Sequence, residues 1–157
     1  MTKVIFVHRS VGHNLIADGG LYTLAKDAGI ELNDYDHNSY EISDGESIQK
    51  LNIVFEGGDT HPEHYAKLFS EGGKKNQKKA HDLILSYDVI VIKSCYPNSH
   101  ITTDNELDAI KKDYQSIANF FATMPEKKLI LLTTPPLMPL RTNKDSSSRA
   151  RKLTIAP

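Results

Sequence analysis

Only one cysteine, Cys95, occurs in the 157 residues, so no internal disulfide framework can form and the chain suits a reducing compartment. No run approaches the roughly 18 apolar residues of a membrane span, and the N-terminus lacks an apolar core of signal-peptide length. Charge of one sign is also missing. The net charge is -1, which gives no global pull toward nucleic acid or anionic membrane. Neither a dinucleotide glycine fingerprint nor a P-loop lysine motif is present. These absences predict a soluble, cytoplasmic protein with no nucleic-acid or membrane partner. Its oligomeric state is left open.

With 39% hydrophobic and 25% charged residues, the chain has the composition of one globular domain spanning residues 1–157. Three short apolar runs, Lys3–His8, Asp88–Lys93 and Lys128–Leu132, have the pattern of strands buried on both faces. Ile30–Asp36 is a more polar strand, placed nearer a sheet edge. Helices are predicted over Val11–Ala28, closed by Gly29, and over Pro62–Ser70, Lys74–Tyr87 and Thr103–Met124. Another helix can begin in Ser146–Thr154. In Thr103–Met124, Leu107, Ile110, Tyr114, Ile117 and Phe121 form one stripe, with Asp104 or Asn105 as the cap. His37–Thr60 reads as a long irregular connection, where specificity is expected to sit. Alternating strands and helices predict an α/β fold, a three-layer α/β/α sandwich on a parallel sheet. Ligands of such sheets bind beyond the carboxyl ends of the strands. The polar segments His8-Arg9-Ser10, Ser94-Cys95-Tyr96-Pro97-Asn98 and Thr133-Thr134-Pro135-Pro136 all fall at those ends.

Each polar residue has a structural and a chemical reading. Ser10 at a strand-to-helix turn is either an N-cap or a nucleophile, with the helix N-terminus favouring developing negative charge. Gly12 permits close backbone approach, which suits an oxyanion or a phosphate. Asn98 is a turn residue after Pro97 or an amide donor. Cys95 reads as structural, because a phosphatase-type loop wants an arginine about six positions on and Ile101 stands there. Asp59, His61 and His64 carry metal-ligand atoms, but the two histidines are three apart across a proline and no further ligand is specified nearby, so a solvated helix start is favoured over a metal site. Lys74, Lys75, Lys78 and Lys79 read as a solvated helix face.

Taken together, HRSVGHNL, GGDTHPEHYAKLF, VIVIKSCYPNSHI, and LLTTPPLMP followed by RARKL resemble the SGNH (GDSL-like) hydrolase superfamily, in a divergent bacterial branch with an HxSxG-type first block. The resemblance implies a flavodoxin-like sandwich and hydrolysis of acyl or acetyl esters without metal or other cofactor. It places the nucleophile at Ser10 and an oxyanion-hole amide at Asn98. The second-block glycine falls at Gly57 or Gly58, or at the polar turn around Asn38. Ser94, His8, His13, His100 and Thr133 become pocket residues. Three departures stand out. His8-Arg9 replaces the Gly-Asp before the serine, the third block lacks Gly-x-Asn-Asp, and the C-terminal Asp-x-x-His that supplies the general base is absent. The chain is therefore expected to be a C-terminally shortened domain lacking its last strand and helix, with weak or no esterase activity. A non-catalytic module binding a small anion in the same crevice is the other function class.

Overall fold

The computed structural model describes residues 1–51, 53, 55, 60–70 and 77–134. In chain order its elements are β1 (Thr2–His8), α1 (Val11–Ala17), α2 (Leu21–Asp27), β2 (Ile30–Asp36), β3 (Glu41–Ser43), β4 (Ile48–Lys50), α3 (Pro62–Ser70), α4 (Lys78–Leu85), β5 (Val89–Lys93), a 3₁₀ turn (Tyr96–Ser99), α5 (Asp104–Ala122) and β6 (Lys128–Leu132). The strands form one sheet in the order β4-β3-β2-β1-β5-β6. β1, β2, β5 and β6 run parallel, whereas β3 and β4 pair antiparallel. The chain steps from β1 to β2 on one side and returns to β5 on the other. The order therefore reverses between β1 and β5, and in such sheets ligands bind beyond the carboxyl ends of the strands at that point.

Successive side chains of a strand face opposite sides, so β1 supplies both faces of the sheet. Ile5 and Val7 join Tyr35, Ile90 and Ile92 in the larger core. Tyr65, Leu68 and Phe69 of α3, Ala80 and Ile84 of α4, and Ile117 and Phe121 of α5 cover that core. Val4 and Phe6 meet Leu32, with Ile16 of α1 and Leu21 and Ala25 of α2, on the opposite face. The result is an α/β fold compatible with a three-layer α/β/α sandwich. On the α1/α2 face, β5 and β6 border an apolar groove of about 520 Å³ lined by Val89, Val91, Ile130 and Leu132. Among the described residues, no helix is long and apolar enough to cross a membrane.

Four expectations need correction. The helix predicted over Val11–Ala28 is two helices, because Gly20 takes a left-handed conformation (φ 62°) that no helix interior accepts. β2, expected nearer a sheet edge, stands third in the six-stranded order because β3 and β4 lie outside it. The connection 37–60 is not wholly irregular, since it contributes the β3–β4 hairpin that extends the sheet past β2. Asp44 builds the turn of that hairpin by accepting from the backbone N–H groups of Glu46 (2.9 Å) and Ser47 (2.7 Å). The cap of α5 is Thr103, which accepts from the Glu106 N–H at 3.2 Å while the Glu106 carboxylate reaches back to the Thr103 N–H, a reciprocal capping box.

Candidate active site

Ser10 follows β1 by two residues and has φ 51°, ψ -112°. A side chain in that region crowds its own backbone, at a cost on the order of 1–3 kcal/mol, and persists only where the surroundings enforce it. Its side chain makes no capping hydrogen bond, so the N-cap reading fails. α1 is only seven residues long, so the field of a long helix does not distinguish this serine. What distinguishes it is an exposed hydroxyl carried on a strained strand-to-helix turn.

The turn is enforced from beneath by His8 and Gly12. His8 is 0% exposed, and its Nε2 lies 2.7 Å from Asp34 Oδ2. Tyr22 donates its hydroxyl hydrogen to Asp34 Oδ1. The expected role of His8 in the pocket is thereby corrected, since a ring with no exposed surface lines no crevice. Its Nδ1 is buried without a hydrogen-bond partner. Gly12 is buried directly over this ring, and a Cβ added there would sit 2.4 Å from His8 Cβ and 2.9 Å from Nδ1. The close approach that the missing Cβ of Gly12 allows is to His8. On helix propensity alone Gly12→Ala would gain about 1 kcal/mol. The collision outweighs that gain, because overpacking costs about 1–3 kcal/mol and here both atoms belong to stiff elements. We expect urea denaturation of Gly12→Ala to give a lower midpoint at unchanged slope. A raised midpoint would show that α1 is not seated on His8.

At the carboxyl end of β5 the chain passes through Ser94 and Cys95 into the 3₁₀ turn. Ser94 is buried, its N–H donates to Leu132 O of β6 at 2.9 Å, and its Oγ shares a hydrogen bond with Tyr114 OH at 2.6 Å. Burial pushes the Tyr114 phenol up to about 12, so it stays protonated at neutral pH. Ser94 is thus a strut tying β5 to α5 rather than a free pocket hydroxyl. Cys95 is buried. Pro97 is the second residue of the turn, and the Asn98 N–H donates to Cys95 O at 3.1 Å. The Asn98 side chain is half-buried, yet its Nδ2 is fully buried and has no hydrogen-bond partner. An amide of this kind forfeits about 1–3 kcal/mol unless something outside the described residues accepts from it.

The remaining expectations sort by position. His13 and His100 are exposed, and Thr133 is half-buried after β6. Thr134, beside it, is buried with an unpartnered Oγ1. Gly57, Gly58 and Asp59 lie outside the described residues, as do Lys74, Lys75, Pro135, Pro136, Ser146–Thr154 and the RARKL segment. His61 Nδ1 accepts from the Glu63 backbone N–H at 3.2 Å, the arrangement of a helix start. Among the described residues, no three His, Cys, Asp or Glu side chains are grouped to hold a metal ion. Asn38 is exposed in the turn after β2, where its Oδ1 accepts from Arg9 Nε at 3.0 Å and so tethers the residue preceding Ser10. The spacing Asp34-x-x-His37 does not make a catalytic pair. Asp34 turns toward His8, whereas His37 Nε2 lies 2.7 Å from Tyr65 OH on the other face.

Sequence reasoning missed two residues here. Asp34 looked like an ordinary polar position in a polar strand. Lys93 looked like the end of an apolar run, but it is 7% exposed and its Nζ donates to Ser94 O at 3.2 Å. Burial pulls the Lys93 ammonium below the ordinary lysine range. A lysine closing the run DVIVIK beside a site-forming loop was the available signal. No protein-family model, curated protein or solved structure matches the chain.

Proposed function

We propose that the protein is a serine hydrolase of the SGNH type that cleaves acyl esters, acetyl esters among them, with Ser10 as nucleophile. The observation that carries this reading is the backbone of Ser10. It is strained, it follows the strand beside the switch point, and it carries an exposed hydroxyl that caps nothing. A serine that only ended a strand would relax to an extended N-cap and bond the first turn. Strain held without that return is the mark of a positioned functional group.

The chemistry follows from the parts. The Ser10 oxygen attacks the ester carbonyl, and negative charge builds on the carbonyl oxygen. Asn98, half-buried in the turn after β5, is the amide this reading assigns to that charge; its Nδ2 is buried and unpartnered, so it donates to a substrate oxygen only once it is uncovered. Collapse expels the alcohol, and water then releases the acyl group from Ser10. The reading needs no metal and no other cofactor.

A fluorophosphonate probe tests it directly, because it phosphonylates only an activated serine. Peptide mapping of the labelled protein should place the adduct on Ser10, and Ser10→Ala should abolish labelling together with hydrolysis of a short-chain p-nitrophenyl ester. Labelling elsewhere, or none with saturable binding of inorganic phosphate in the crevice, would instead favour an anion-binding module.

A further inference from the structure

The turn that carries Ser10 sits on His8, and His8 is tied to Asp34. The other oxygen of that carboxylate accepts from the Tyr22 hydroxyl, so the orientation of Asp34 depends on where a ring of α2 is held. Tyr22 is half-buried at the margin of the smaller core, and the β3–β4 hairpin closes over it. Gly45 stands at the exposed tip of the hairpin with φ 88°. A Cβ added there would lie 2.8 Å from Tyr22 Cγ and 3.0 Å from each Cδ atom. Near-equal approach to those three atoms places the glycine on the face of the ring.

The hairpin also reaches the far end of the same side chain. Ser43, the last residue of β3, pairs with Asp34 of β2, and its side chain is a second hydrogen-bond partner of the Tyr22 oxygen. Its Oγ in turn accepts from the Gly45 N–H at 3.0 Å. Tyr22 is therefore held at two points, the face of its ring and the oxygen at its tip. Burial, and after it the bond to Asp34, push the phenol above its ordinary range, so it stays a donor at neutral pH.

We infer that Tyr22 is a positioning residue for Ser10, and that the β3–β4 hairpin governs the site by setting that ring, with the nucleophile reading above as the premise. Every link is a contact in the structure. Gly45 lies on Tyr22, Tyr22 bonds Asp34, Asp34 bonds His8, and His8 lies under Gly12. The Gly12 and His13 N–H groups then bond the Arg9 and Ser10 carbonyls at 3.1 and 2.8 Å. His8 and Asp34 are both buried, so a phenol that withdraws leaves Asp34 Oδ1 short of a donor away from water. The carboxylate turns to recover a partner, the imidazole follows its Oδ2 bond, and the ring beneath Gly12 tilts. Close-packed side chains move between rotamers rather than by small amounts, so the change reaches α1 as a discrete step.

The rate of fluorophosphonate labelling at Ser10, measured on folded Tyr22→Phe, Gly45→Ala and the double variant, tests this. Tyr22→Phe keeps the ring and removes only the hydroxyl. It should slow labelling about tenfold, inside the roughly 2- to 30-fold range of such couplings. Gly45→Ala drives a Cβ into the ring and should slow labelling to a similar extent. The double variant should be no slower than Tyr22→Phe alone, because a ring without its hydroxyl no longer orients Asp34. The ¹⁵N resonances of the His8 ring and of the Ser10 amide should shift in Tyr22→Phe, a readout that needs neither reactivity nor a folded Gly45→Ala. Labelling of Tyr22→Phe within about twofold of the wild type, with only its melting temperature lowered, overturns the positioning role and leaves the nucleophile standing. Losses that multiply in the double variant overturn the hairpin's part, since the two residues then act separately. Shifted resonances in a protein whose wild-type Ser10 takes no label overturn the nucleophile and keep the positioning of its turn. Unshifted resonances overturn the positioning whatever the labelling.

Discussion

Asn98→Ala should lower kcat for ester hydrolysis by about 10²–10³ and leave KM nearly unchanged, because an oxyanion donor acts on charge that exists only in the transition state. The same variant should be no less stable than the wild type. Its Nδ2 is buried without a partner, so removing it relieves a desolvation cost of about 1–3 kcal/mol, against which only a few packing contacts are lost. Activity and stability are thus predicted to move in opposite directions, the pattern of a group retained for chemistry rather than for folding. Asn98→Asp sharpens the test. The carboxylate keeps the shape but offers an acceptor where the oxyanion needs a donor, and it should be at least as inactive as alanine. Steady-state kinetics and thermal melts on the three proteins decide the matter. A lower melting temperature with unchanged kcat would make Asn98 a turn residue and remove the oxyanion hole from the mechanism.

How much of this was legible in the sequence depends on what each element needed from its surroundings. β1, β5 and β6 were visible because burial on two faces requires unbroken apolar runs, and VIFV, VIVI and LILL supply them. The stripe of α5 was visible for the same reason, and Leu107, Ile110, Ile117 and Phe121 are all buried. The β3–β4 hairpin was not, because three-residue strands carry too little pattern. The Asp44-Gly45 turn was the only local signal, and it was passed over as loop composition. Ser10 stands out by its place after β1, but whether it caps the helix depends on a φ angle, which no composition encodes. His8 was misplaced because a polar residue after an apolar run looks exposed. Only Asp34, distant in sequence and adjacent on the neighbouring strand, makes its burial tolerable.

That partnership makes Asp34→Ala the most damaging substitution expected for folding. One carboxylate there serves two groups, the His8 ring at Oδ2 and the Tyr22 hydroxyl at Oδ1, and both His8 and Asp34 are sequestered from water. Removing it strands a ring whose other nitrogen already lacks a partner, so neither imidazole nitrogen retains a described one. Breaking a buried pair in this way costs about 3–5 kcal/mol, a large share of the roughly 5–15 kcal/mol that holds a domain folded. For a chain of this size the melting temperature should fall by roughly 6–20 °C. Asp34→Asn, which keeps the shape and one acceptor, should lose less than half as much. Replacing the whole network, with His8→Leu, Asp34→Leu and Tyr22→Phe together, should recover most of the stability, since a network exchanged for apolar atoms leaves nothing unsatisfied. It should not recover labelling of Ser10. The leucine at position 8 no longer presents the flat ring on which Gly12 rests, and the turn that strains Ser10 loses its footing. A triple variant that refolds and still labels at the wild-type rate would show that the Ser10 conformation is set by α1 alone. A loss below about 1 kcal/mol in Asp34→Ala would place the network in contact with water, where such pairs are worth little.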